Sequence, residues 1–176
     1  SSAASDVYKR QVKESDAKTL ANLRKGIAPS TQQYAYPYVL PLLPRGASER
    51  EQEVCLLVAA LIAAGGHIAS DEEDDRPEPL DLGAWLGRSP LSDSTSVESR
   101  VKFLHTQDLN EAALSMNRLI TFVGREYNRS LDWFSVARTL FFWGNGVSES
   151  SLRSRMSVAR GFYNCLLYTS PSPRDS

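Results

Sequence analysis

SEREQEVCLLVAALIAAGG, residues 48–66, decides the fold class. Ser48 followed three residues later by Glu51 is a capping box, in which each side chain accepts a hydrogen bond from the other residue's backbone N–H. Behind it, VCLLVAALIAA (54–64) is apolar on almost every side, the pattern of a helix central to its core. Gly65-Gly66 then supplies a left-handed stop.

The same punctuation repeats outward from this helix. Thr95 and Glu98 form a second box before VESRVKFLH (97–105), and Asp108 and Glu111 a third before LNEAALSMNRLITFVGREY (109–127). Asp132 is placed to cap WFSVARTLFFW (133–143), which Gly144 ends, and Ser148 or Ser150 to cap a last helix reaching Phe162. An early helix is expected over about residues 15–25, stopped by Gly26. Pro37, Pro41 and Pro44 forbid a regular helix in YAYPYVLPLLP (34–44), so an extended apolar segment laid on the core is expected there. No alternating strand pattern or fixed repeat occurs. The reading is all-α: a helical bundle over 12–70, an acidic linker over 71–81, and a second bundle over 82–164.

The two ends are set apart from this reading. Back-translated, DVYKRQ (6–11) gives DNA whose reverse complement, shifted by one base, encodes CLLYTS (165–170). One DNA element read in opposite directions accounts for both, and the ends resemble translated transposon-end adapters from a shotgun sequencing library. Residues 1–11 and 165–176 are therefore expected to be non-native.

Basic and acidic residues nearly balance, 20 against 21, but Asp71, Glu72, Glu73, Asp74, Asp75, Glu78 and Asp81 crowd into one stretch. The flanking blocks keep a modest positive excess, suited to a phosphate backbone though weak as a signal on its own. No apolar run is long enough for a membrane span. Cys55 is the one cysteine outside the tails and reads as a small core residue, so no intrachain disulfide is expected. His67 and His105 lack neighbouring ligands, and the acidic run lacks the glycine and spacing of a calcium loop. No phosphate loop, nucleophile elbow or zinc motif is present. No metal, cofactor, small-molecule substrate or catalytic activity is expected.

Helical spacing assigns the buried faces. Leu109, Ala113, Met116, Ile120, Val123 and Tyr127 form one, with Glu111, Arg118 and Arg125 on another stripe seven residues apart. Trp133, Val136, Leu140 and Trp143 face inward, leaving Phe134, Arg138 and Phe142 on a second stripe that mixes a cation with aromatics. In the last helix Leu152, Met156, Ala159 and Tyr163 point inward and Arg153, Arg155 and Arg160 elsewhere. Arginines opposite an apolar stripe ordinarily form a solvated face. Several acting together neutralise phosphates without reading sequence, and the residues alone leave both readings open.

LANLRKG (20–26), YPYVLPLLP (36–44), the apolar helix, LGAWL (82–86), VESRVKFL (97–104), LDWFSVARTLFFWG (131–144) and ARGFY (159–163) follow one another in an order that resembles CasB, the small subunit of the type I-E CRISPR Cascade complex. The resemblance implies a non-enzymatic, all-helical, cytoplasmic protein. It implies a place in the complex as a pair, with other Cascade subunits, crRNA and target DNA, including the displaced strand, as partners. Carried over by position, Arg24 and Lys25 take the paired basic sites of a Leu-Arg-Arg-Gly-like motif. Arg100 takes the second arginine of a Val-Glu-Arg-Arg segment, and Arg118 a basic site in the next helix. Ser99 departs from that pattern, with Lys102 expected to compensate. With Arg125 and Arg138, these are the candidate nucleic-acid contacts. The alternatives are a helical protein-protein adaptor with no nucleic-acid contact and a helix-turn-helix regulator, for which residues 131–143 are too apolar.

Overall fold

The computed structural model describes residues 2–65 and 77–169. Among them are eight α-helices: α1 (Ser2–Arg24), α2 (Tyr36–Val39), α3 (Glu49–Ala64), α4 (Leu82–Arg88), α5 (Thr95–Phe103), α6 (Leu109–Val123), α7 (Trp133–Phe141) and α8 (Glu149–Thr169). The described residues form no strand, only a parallel bridge between Leu80 and Leu131 that ties the entry of α4 to the entry of α7. His67, Gly66 and the acidic run from Asp71 to Asp75 lie outside the described residues.

The all-round apolarity of α3 has a concrete cause. Val54, Leu57 and Leu61 belong to the main core, together with Trp85, Met116, Ile120, Leu140, Trp143 and Phe162. Leu56 faces the other way, into a small second cluster with Ala35 and Val39. The main core thus draws on both sides of the acidic stretch. Both residues of the Ser48–Glu51 box and of the Asp108–Glu111 box make their reciprocal bonds, and Asp132 accepts from the Ser135 N–H.

α4 and α8 approach backbone to backbone. A methyl group on Gly83 would overlap the Val158 carbonyl oxygen, and one on Gly87 would lie 2.7 Å from that of Phe162. Gly161 of α8 completes the seam, where an added methyl would lie 3.0 Å from the Ala84 nitrogen. Trp85 turns from this seam into the core and donates its indole N–H to the Arg129 carbonyl at 2.7 Å.

Four expectations are corrected. Residues 34–44 are not extended: they wind into short 3-10 turns and α2, because Pro37 and Pro41 each occupy a first-turn position where a missing N–H costs nothing. The cap of α5 is Ser94 without a side-chain bond, so Thr95 begins the helix and forms no capping box. α1 starts at Ser2 and α8 continues to Thr169, since no glycine or proline interrupts either junction with the tails; Leu166 packs against the core. In α8 the buried face is Ser151, Arg155, Val158 and Phe162, one position from the expected stripe, leaving Leu152 and Met156 exposed. The glycine seam sets this rotation by drawing Val158 and Phe162 onto α4.

Candidate functional site

Three of the seven candidate basic residues converge. Arg100 of α5, Arg118 of α6 and Arg125 in the turn after α6 line one cleft of about 230 Å³, with Val97, Leu119 and Thr121 at its floor and Phe122 at its side. Along α6 and the turn after it, positions 118, 122 and 125 follow at i, i+4 and i+7, and all three side chains line this cleft. A second opening, lined by Ser99, Phe103, Gln107 and Ser115, adjoins the first, since Ser96 and Arg100 line both. Among the described residues, none that lines either opening is acidic. Among the described residues no carboxylate pairs with any of the three arginines.

The other candidates lie apart. Lys102 is two residues from Arg100, about 200° around the helix, and lines neither opening. Its ammonium is instead 3.9 Å from Glu98, which also accepts from the Tyr163 hydroxyl at 3.1 Å. Desolvation, then that bond and the charge of Glu98, push the Tyr163 phenol up. Arg24 donates through Nε to the Ala63 carbonyl at 3.1 Å, a cation at the negative end of α3. Lys25 sits over the Tyr34 ring, 4.3 Å from its centre. Arg138 lies in a separate groove on α7 and α8 with Phe134, Arg153, Asp81 and Asp132, its guanidinium 5.4 Å from the centre of the Phe134 ring. There the carboxylates offset the positive charge.

One arginine expected to point away from the core is instead buried. Arg155 is only 9 % exposed, and its guanidinium donates to the carbonyls of Trp143, Gly144, His105 and Gln107. Trp143 adds an indole bond to the Gln107 carbonyl at 2.8 Å, and Gln107 accepts from Ser115 through its side chain at 2.7 Å. The α5–α6 turn, whose Gln107 lines the second opening, is therefore anchored from behind. The signal was the glycine-bearing WGNG turn (143–146), whose carbonyls need donors; Gly144 and Gly146 adopt positive φ.

Among the described residues, no group of three or more histidine, cysteine or acidic side chains is arranged to hold a metal. No described helix is long and apolar enough to cross a membrane. Residues 19–163 match the family of CRISPR-associated protein Cse2. The chain belongs to the Cse2 family. As a member it is a CRISPR-associated Cascade subunit, a structural part whose partners are other Cascade subunits. The crystal structure of a Cse2-family CRISPR-associated protein from Thermus thermophilus is similar at 25 % identity and a TM-score of 0.64, over 89 % of this chain and 92 % of that one. CasB from Thermus thermophilus matches over the same shares at 24 % identity and a TM-score of 0.62, a likeness of fold. No curated protein matches the chain.

Proposed function

We propose that this Cse2-family subunit stabilises an opened nucleic-acid target by holding a strand's phosphates in the α5–α6 cleft, without reading its sequence. The convergence of Arg100, Arg118 and Arg125 on one surface with no carboxylate among its described lining residues carries this reading. Exchanging a DNA duplex for an RNA–DNA hybrid is nearly balanced, so contacts to the strands tip it. A basic groove supplies such contacts wherever the strand lies. The displaced strand is the natural occupant, in the cytoplasm, beside crRNA and a second copy of the subunit. Lys102, Arg24 and Lys25 take a secondary part, their charges already engaged within the fold.

The groove of Phe134 and Arg138 favours a second role on a different face. Its mixed charges and a phenyl that is 72 % exposed suit a protein neighbour better than a polyanion. This reading limits the adaptor alternative to α7 and α8.

Fluorescence anisotropy of a labelled single strand, titrated at several salt concentrations, tests the proposal. Replacing Arg100 and Arg118 by alanine should weaken binding equally for all sequences and lower the log-log salt slope by about 1.4, roughly 0.7 for each lost phosphate contact. An unchanged slope, or a loss that depends on sequence, refutes a backbone role for the cleft.

A further inference from the structure

We infer that Phe103 and Phe122 are base-stacking residues, so that the groove holds an unpaired polynucleotide by its bases as well as its phosphates. The inference rests on the basic-groove reading above and adds the state of the strand: single, with bases unstacked.

Two matched stripes carry it. On α5, Ser96, Arg100 and Phe103 stand at i, i+4 and i+7; on α6 and its following turn, Arg118, Phe122 and Arg125 have the same spacing. The stripes line two openings that share Ser96 and Arg100. A cation and a phenyl therefore recur on both walls of one continuous groove. Phe103 is 58 % exposed and Phe122 43 %, and neither belongs to the apolar clusters. Core packing thus gives no account of two large rings placed beside unpaired arginines.

The rings on α7 differ. Phe134 lies under the Arg138 guanidinium, and Asp81 and Asp132 line the same groove, where they repel phosphate. Among the described residues no such cation–ring contact occupies the face of Phe103 or Phe122; Arg100 lines the opening of Phe103, and Arg118 and Arg125 flank Phe122. The charge selects a polyanion, and the rings select one with free π-faces. A duplex buries those faces against each other, whereas an unpaired strand presents them, and any base serves because each has a π-face.

The test compares a labelled oligodeoxythymidine with an abasic deoxyribose-phosphate oligomer of equal length, each titrated with the full chain at low salt. Stacking on two rings predicts that the wild type binds the base-bearing strand about 100-fold more tightly, roughly tenfold for each ring. F103A/F122A should lose that advantage, leaving abasic affinity and the salt slope unchanged, while F103Y/F122Y should keep it. Equal wild-type affinity for the two oligomers overturns stacking and leaves the basic groove standing. Failure to bind either at low salt overturns both. If the alanine variant misfolds by circular dichroism, the wild-type comparison of the two oligomers decides alone.

Discussion

Replacing Arg155 with methionine preserves the length of the stem and removes the guanidinium. Its effect follows from which carbonyls lose their donors. Trp143 and Gln107 keep a second donor each, the Ser151 hydroxyl and the Trp143 indole. Gly144 and His105 keep none among the described residues. Both are only partly shielded, so each orphaned carbonyl costs about 1 kcal/mol, the low end for an unsatisfied acceptor. The guanidinium also lies 5.4 Å from the centre of the Trp143 ring, a contact that contributes about 1 kcal/mol when partly desolvated. The sum is about 3 kcal/mol, or roughly 6–12 °C in melting temperature for a chain of this size. Thermal unfolding by circular dichroism and urea titration should agree on that loss, and lysine should restore only part of it. A melting temperature unchanged within about a degree refutes the reasoning, because the carbonyls would then be satisfied without Arg155.

Gly83→Ala forces a methyl into the Val158 carbonyl and should cost about 1–3 kcal/mol, measured by urea midpoint; no loss refutes the close seam. Leu140→Ala empties a fully packed site and should cost about 2–5 kcal/mol, with an unchanged melting temperature refuting its core position. Asp108→Ala should cost about 1 kcal/mol, whereas Thr95→Ala should stay within about 0.5 kcal/mol, since only Asp108 makes the capping bond. Burial, then the charge of Glu51, raises the Cys55 thiol above its ordinary value. Its protonated form is thus favoured by folding: the contribution is complete below the unfolded thiol's pKa and lost as pH rises through the higher folded value. In a Cys165→Ser background, alkylation of Cys55 should have its midpoint at higher pH in the folded chain than in the urea-unfolded chain, and an equal or lower midpoint refutes the assignment.

Helices whose signals are local were legible in the sequence. The box at Ser48 and Glu51, the cap at Asp132 and the spacing of Met116, Ile120 and Val123 are all read within a turn or two of the residues that use them. α8 was misaligned because its face answers to distant partners. Gly83 and Gly87 precede it by more than sixty residues, and the carbonyls that take Arg155 come from two separate turns. An arginine is normally assigned to solvent, and nothing within its own helix marked this one for burial. The cleft was legible in its members but not its membership: helix periodicity placed Arg118 and Arg125 together, and only the packing of α5 on α6 brought Arg100 to them while leaving Lys102 on the far side. Phe103 and Phe122 escaped notice because an exposed ring and a core ring are written with the same letter.

The double face of α3 has a consequence for the order of events during synthesis. Leu56 can settle against Ala35 and Val39 as soon as the helix emerges, since those residues have already been made. Val54, Leu57 and Leu61 wait for α6 and α7, the latter ending at Phe141. At ribosomal speeds of about 5–20 residues per second that interval lasts roughly 4–15 seconds. Through it the nascent chain carries a greasy ridge whose native cover is incomplete, a natural landing place for a chaperone.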